Sequence, residues 1–392
     1  MSEIRHIYLD NSATTKICDE ALTKYNEISR GVFGNPSSLH SYGLLAEKEL
    51  DAARAAVLSS LGERDSAVIF TASGSEANNL AIIGRALSKE RYLRGSKIIT
   101  TAGEHASVSA PFAKLREVGF KTAEIPTKGG KIDTDALIKE LTPDVILVSM
   151  MMVNNETGAL YDIAAVSKLI RARCPDAILH VDATQSYMKV KFTKKSLGAD
   201  MITLSSHKIE GPKGVGALVV DNKVIKAHGL SPLILGGGQE GGLRSGTENV
   251  PAVAAFGEAV RIAAKSLDER IAKMSALREK LIESISSSDI LSQIEITDPA
   301  SHAPHILNIT VPRIKSETLL HFLSSLGIYV SSGSACSSNS SHSSSALSAY
   351  GKSEDQADSS VRISFSHRNT EDDVLALCDG LALAITKLAR KR

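Results

Sequence analysis

AILHVDATQSYMKVKFTKKSLGADMITLSSHKIEGPKGVGALVV, residues 177–220, decides the fold. It holds three short runs, AILHVD (177–182), DMITLSS (200–206) and VGALVV (215–220), rich in Ile, Val and Leu and without strict polar alternation. A half-exposed sheet would alternate, so these runs point to strands covered on both faces, as in a parallel sheet flanked by helices. The pattern extends upstream: AVIF (67–70) leads into SEANNLAIIGRALS, KIITT (97–101) into HASVSAPFAKLREVG, and DVILVSMM (144–151) precedes DIAAVSKLIRAR. Strands alternating with helical stretches predict an α/β three-layer sandwich with a mainly parallel central sheet.

Beyond this region the pattern changes. Around 251–288 a long helical stretch carries no strand and reads as a connector. After it HILNITV (305–311), IYVSS (328–332) and SSVRISFS (359–366) alternate with helical segments, predicting a smaller α+β domain. The first dozen or so residues are too short for a core of their own and are expected to pack against that domain. The resulting division is a large domain over 17–260 and a small one built from 1–16 and 261–392.

Composition narrows the function. The 392 residues carry 45 Lys+Arg against 44 Asp+Glu, a net charge of +1, which disfavours direct nucleic-acid binding because phosphate backbones require a basic surplus. Hydrophobic residues at 43%, charged residues at 23% and a mean hydropathy of -0.01 describe an ordinary globular chain. Aromatics are 4% with no Trp, so the core must be aliphatic. No signal peptide is visible, and no uncharged apolar run approaches the roughly 20 residues of a membrane helix, which predicts a soluble cytoplasmic protein without membrane attachment.

Candidate chemistry gathers just past the strand ends, where ligands bind open α/β sheets. Asp182 ends ILHVD and Lys208 follows MITLSS. The pair is either an ion pair or a pyridoxal phosphate site, with Lys208 as Schiff-base amine and Asp182 on the pyridine nitrogen. In IFTASGSEANN a strand stops at small residues around Gly74 and Ser75 before a helix, which is either a plain cap or an anion cradle, with Ser205 and His207 as further donors. His105, Asn155 and Gln185 also follow strands; the histidine could stack on a ring or move protons, and the amides could bond a phenolic oxygen. LILGGGQEGGLRSGTEN lacks the strand and helix of a dinucleotide fingerprint; its Arg244, Ser245 and Thr247 suit a second phosphate-binding surface across a dimer interface. Arg362, on an otherwise apolar strand, is either a surface residue or a clamp for a substrate carboxylate.

The four cysteines are too few and scattered for a disulfide framework or a zinc site. Cys18, Cys174 and Cys378 fall at helix ends or in apolar helical sequence and read as packing residues. Cys336 lies in SSGSACSSNSSHSSS, which cannot form a core, and is either an accident of composition or a nucleophile that must travel.

Taken in order, YLDNSATT, GNPSSLH, FTASGSEANN, EHASV, VNNETG, HVDATQS, SSHKIEGPKGVGAL, GGGQEGGLRSGTENV, SSGSAC and VRISF resemble the cysteine desulfurases, fold-type I pyridoxal phosphate enzymes of the class V aminotransferase group. The resemblance runs nearly end to end and looks like the long-loop group I type. It implies that Lys208 binds the cofactor, Asp182 pairs with its ring nitrogen, His105 stacks on the ring, and Asn155 and Gln185 contact its phenolic oxygen. Gly74, Ser75, Ser205 and His207 would hold the phosphate, with Thr247 reaching in from a second subunit of a homodimer. Arg362 would bind the carboxylate of L-cysteine, and Cys336 would take the sulfur as a persulfide and pass it to an iron–sulfur scaffold protein or another acceptor, for cluster assembly or tRNA thiolation. Two positions depart from the family pattern: Gly241 stands where an Arg is usual, and Asn-Ser-Ser-His-Ser-Ser-Ser replaces the usual Leu-Glu-Pro stretch after the cysteine. Selenocysteine lyase, another class V lyase or transaminase, and a non-catalytic scaffold on the same fold are the competing readings.

Overall fold

The structure, a computed structural model, describes residues 5–88, 96–332 and 344–389. The chain opens with a two-residue strand, β1 (Ile7–Tyr8), followed by helices α1 (Asp19–Gly31) and α2 (Ser41–Ser60). It then builds a seven-stranded sheet from β2 (Ser66–Thr71), β3 (Lys97–Thr101), β4 (Lys121–Ile125), β5 (Val145–Met151), β6 (Ile178–Asp182), β7 (Met201–Ser205) and β8 (Gly216–Asp221). The strand order is β2-β8-β7-β6-β5-β3-β4, and β8 is antiparallel to both its neighbours while the other pairs are parallel. The mainly parallel sheet expected from the sequence is therefore present, with VGALVV running against the rest. Strand β4 escapes a reading by apolar runs, because KTAEI is a half-exposed edge strand whose only buried residue is Ile125.

Burial shows why the runs lack alternation. Along β8, Ala217 and Val219 enter one apolar cluster while Leu218 and Val220 enter another on the opposite face. Along β2, Val68 and Phe70 join the first cluster and Ile69 the second. The first face is covered by α1, α2 and α5 (Val250–Lys265), and the second by α3 (Gly74–Asn79) and α4 (Ala106–Glu117). Side chains pointing both ways along a strand are thus removed from water, which is what a continuous Ile/Val/Leu run secures.

The expected connector is two helices. Helix α5 ends at Lys265, Ser266 leaves the helical region at φ −120°, and α6 (Leu267–Ser286) begins with Asp268 and Glu269 in its first turn. Helix α6 packs into a further apolar cluster through Met274, Leu277 and Leu281. That cluster lies beside a second sheet of β9 (Glu295–Thr297), β10 (Ile306–Thr310), β12 (Ser331–Ser332) and β13 (Ser360–Ser364), ordered β12-β13-β10-β9 and antiparallel throughout. In the amino-terminal stretch β1 pairs in parallel with β11 (Ile328–Tyr329), and Ile7 and Leu9 enter the same cluster. No helix among the described residues is long and apolar enough to cross a membrane.

Two stability predictions follow from this packing. Leu9 is fully buried and ties the amino-terminal segment to the cluster around α6, so Leu9→Ala should destabilise by about 2–5 kcal/mol; an unchanged urea midpoint would show that this anchor contributes nothing. His180, fully buried in β6 between Ser149 Oγ at 2.8 Å and Thr203 Oγ1 at 2.9 Å, is held by burial down to about 4. An unfolded histidine takes a proton near pH 6.5, so between that pH and about 4 the unfolded state binds the extra proton and stability falls as pH falls. His180→Asn should flatten that slope in a pH series of denaturation midpoints.

Candidate active site

The turns leaving the carboxyl ends of β2, β3, β5, β6 and β7 converge on one cavity of about 410 Å³. Of the residues singled out from sequence, Lys208, Asp182, Gln185, His105 and Asn155 line it, and so do Gly74, Ser75, Ser205, His207 and Arg362. Parallel pairing explains the convergence: strands running one way send their following turns to one edge. The loop after β2 comes close because Gly216 at the start of β8 has no side chain; a Cβ there would lie 2.5 Å from the Ser73 carbonyl carbon and 2.7 Å from the Gly74 nitrogen.

One end of the cavity is an amine and a carboxylate. Lys208 Nζ donates to the carbonyls of Ser12 at 2.5 Å and Ala13 at 2.8 Å. The Ser12 carbonyl also accepts from Gln185 Nε2 at 2.9 Å, leaving Gln185 Oε1 buried without a partner among the described residues. Asp182 is buried, with one oxygen accepting from Asn78 Nδ2 at 2.8 Å and the other from the Thr184 amide at 2.9 Å. His105 caps α4: the Ser107 amide donates to its Nδ1 at 3.1 Å, which leaves the ring hydrogen on Nε2. Burial pushes His105 below its ordinary value, opposed by Asp182 and reinforced by Lys208, so the ring is neutral.

Small donors form the next wall. Helix α3 starts at Gly74 behind Ser73, whose hydroxyl accepts from the Glu76 amide at 3.1 Å. The first-turn amides of Gly74 and Ser75 have no intrahelical acceptor. A Cβ on Gly74 would stand 3.2 Å from both Ser205 Cβ and Thr184 Oγ1, so three turns meet there closely. His207 Nδ1 sits 3.1 Å from Thr14 Oγ1, and burial, with the charges of Lys208, Lys213 and Lys189, pushes it down to about 4. It therefore acts as a hydrogen-bonding group rather than a cation.

The opposite end is built around Arg362, which β13 turns away from its apolar neighbours Val361 and Ile363. Its Nη2 meets Asp10 Oδ1 at 2.8 Å, its Nη1 donates to the Asn155 carbonyl at 2.8 Å, and its buried Nε has no partner among the described residues. Arg362 is thus neither a surface residue nor an empty clamp. Asn155 is presented by a rigid turn: Asn154 Oδ1 accepts from the amides of Glu156 at 3.0 Å and Thr157 at 2.9 Å and from Thr157 Oγ1 at 3.1 Å. Gly158 closes the turn at φ +73° against Ile306.

Three sequence candidates lie elsewhere. Thr247 and Gly241 are exposed and outside the cavity lining, the latter at a φ of +66° facing open space, and Arg244, half-buried and paired with Glu76 at 2.9 Å, is outside it too. Cys336 lies outside the described residues, between Ser332, which lines the cavity, and Ser344. Cys18, Cys174 and Cys378 are buried free thiols, each pushed up by burial, which suits packing and not nucleophilic attack.

Several working groups carried no sequence signal of their own. The carbonyls of Ser12 and Ala13 are backbone atoms, and Asp10 is one letter in YLDNSATT. Glu104 takes the Met151 amide on both oxygens, at 2.9 and 3.1 Å, and bonds Thr101 Oγ1; burial pushes it up to about 8.

Comparison with known proteins agrees with this geometry. The family model for class-V aminotransferases matches residues 7–377. A protein of Archaeoglobus fulgidus named cysteine desulfurase IscS 1 is 36% identical, covering 97% of this chain and 97% of its own length. A solved structure titled NifS-like protein superposes with a TM-score of 0.89 at 32% identity, covering 97% of this chain and all of its own. Another, titled SspA in complex with cysteine, gives a TM-score of 0.79 at 29% identity over 93% of this chain and 99% of its own. With a half-buried lysine and a buried aspartate and arginine around one cavity and a family match along almost its whole length, this chain belongs to the class-V aminotransferases.

Proposed function

We propose that this chain is a pyridoxal phosphate-dependent cysteine desulfurase acting on L-cysteine. The observation that carries the reading is one cavity holding an amine at Lys208, a carboxylate at Asp182 and a guanidinium at Arg362. The residues present fit the cofactor. The narrow cradle at Gly74, the first-turn amides beside it and the neutral His207 suit a phosphate, and the unpartnered Gln185 Oε1 and Asn78 Oδ1 mark polar atoms awaiting a ligand. Lys208 would hold the cofactor covalently, Asp182 its ring nitrogen, Gly74, Ser75, Ser205 and His207 its phosphate, Asn155 and Gln185 its phenolic oxygen, and His105 one ring face. When bound, the cofactor supplies an electron sink for the carbanion formed next to the substrate nitrogen.

The chain's own groups do the rest. Arg362 takes the substrate carboxylate in exchange for Asp10, fixing the amino acid in register. Lys208 Nζ would remove and return protons at the substrate. Cys336, as thiolate, attacks the substrate sulfur: the Cβ–S bond breaks, an S–S bond forms, and Cβ is protonated to give L-alanine. The atoms balance as L-cysteine plus thiol giving L-alanine plus persulfide, with no outside oxidant. Four peptide steps separate Ser332 on the cavity wall from Cys336, so covalent reach keeps that residue within about 14 Å of it.

The same reading has the chain act as a homodimer, with Thr247 completing the partner's phosphate site; its exposure away from its own cavity supports this. An iron–sulfur scaffold or another sulfur-acceptor protein would take the persulfide. Free thiols at Cys18, Cys174 and Cys378 suit the reducing cytoplasm. The division into 17–260 and 1–16 with 261–392 is supported by the separate apolar clusters.

Protein reconstituted with pyridoxal phosphate should absorb in the near-visible and convert L-cysteine to L-alanine. Lys208→Ala should lose that absorption; if it does not, the lysine has another role. Cys336→Ser should keep the absorption and its response to L-cysteine while alanine output falls about a hundredfold or more; unchanged turnover would favour a lyase or transaminase that needs no thiol. Arg362→Gln should raise KM for L-cysteine by about tenfold or more, the loss of a charge-assisted bond to the carboxylate, and an unchanged KM would move the carboxylate site elsewhere.

A further inference from the structure

Glu156 has no part in holding the cofactor, yet it lines the cavity. Its backbone is locked by the Asn154 turn, through which the neighbouring Asn155 carbonyl accepts from Arg362. Its carboxylate feels the Arg362 charge and accepts a 2.5 Å hydrogen bond from Ser344 Oγ. Ser344 is buried, and its hydroxyl also accepts from the Leu347 amide at 3.2 Å, capping α7 (Ser345–Tyr350). It stands eight positions after Cys336, from 336 to 344. The chain thus leaves the cavity wall at Ser332 and is held again at a cavity residue by Ser344.

Resting on the desulfurase reading above, we propose that Glu156 is a positioning residue for sulfur transfer: it fixes Ser344, the return point of the segment bearing Cys336, to the turn that also serves the substrate-carboxylate arginine. A carboxylate suits this role better than an amide, because a hydrogen bond to an ionised acceptor is shorter and roughly twice as strong. Burial raises Glu156 to about 6, opposed by the Ser344 bond and by Arg362, so the group is ionised at neutral pH. The same charge competes with the substrate for Arg362. Glu156 therefore aids the step after binding and does not aid binding itself, and its removal should affect kcat and KM differently.

The test is steady-state alanine formation by the reconstituted enzyme with Glu156→Ala, Ser344→Ala, the double variant and Ser344→Thr. Each alanine variant should lower kcat about tenfold, the rate equivalent of one charge-assisted hydrogen bond, with KM for L-cysteine unchanged or lower and the cofactor absorption retained. The double variant should be no slower than either single one, since both remove the same bond, and Ser344→Thr should restore kcat. Mass spectrometry after one turnover should show the loss as slower persulfide formation on Cys336. Wild-type kcat in the single variants, a raised KM, multiplicative losses in the double variant, failure of Ser344→Thr to rescue, or loss of cofactor absorption would each overturn the proposal. If wild-type protein itself makes no alanine, the desulfurase reading fails instead; the two failures are distinguishable.

Discussion

The structure depends on one constraint: the central strands are covered on both faces. Phe70 and Ile69, or Val219 and Leu218, point to opposite apolar clusters, and the polar trio Ser149, His180 and Thr203 within the sheet is buried and bonded to itself, so neither face offers an open place for polar chemistry. Polar groups that can meet a ligand collect where the chain leaves the sheet, and parallel strands put five of those exits on one edge. The one reversed strand, β8, contributes differently: its Gly216 makes room for the Ser73–Gly74 turn to press against the sheet.

A sheet edge alone would be open to water, and the amino-terminal segment closes it. Leu9 is buried in the cluster around α6, the Ser12 amide donates to Ser364 Oγ at 2.8 Å, and Thr15 bonds the His207 carbonyl through both its amide and its hydroxyl, each at 2.9 Å. Between those anchors, the Ser12 and Ala13 carbonyls receive Lys208. Packing in the smaller core thereby sets the position of a lysine borne by the large sheet. Cations crowd this junction: Lys189 is buried with no hydrogen-bond partner and is pushed down to about 7 by burial and by Lys208, and His305 is held well below its ordinary value by burial with the same charges. The low dielectric leaves the site's histidines neutral, so they can donate and stack without adding charge.

The sequence was most legible where side-chain chemistry and strand pattern coincide. Asp182 and Lys208 each end a run of apolar residues, so their type and their place at the edge could be read together, and a string of ordered motifs tied them to a known family. Legibility failed where function belongs to the backbone or to one residue's partner. The carbonyls that hold Lys208 have no letter of their own, and Asp10 becomes meaningful only once β13 brings Arg362 beside it across 352 positions. KTAEI lacks the apolar signature of the other strands because an edge strand is half solvated and need not be apolar. The break at Ser266 was hidden because serine is common inside helices; what separates α5 from α6 is that each packs into a different core.

The pairing of Arg362 with Asp10 bears on how such a site can exist before substrate arrives. A guanidinium about nine-tenths buried would be strongly destabilising without a counter-charge, and Asp10 at 2.8 Å supplies one. On the proposed role of Arg362, a substrate carboxylate would replace one carboxylate with another, so the arginine would at no stage be buried and unpaired. Asp10 is the more exposed of the two, its side chain 20% accessible against 9% for Arg362, so it is the partner that can turn toward water when displaced. Arg362 meanwhile stays fixed by the Asn155 carbonyl and by the β13 backbone. On that proposed role, specificity for an amino acid would rest on exchange within a preorganised ion pair: a ligand without a carboxylate has nothing to offer in place of Asp10 and would leave the resident pair intact.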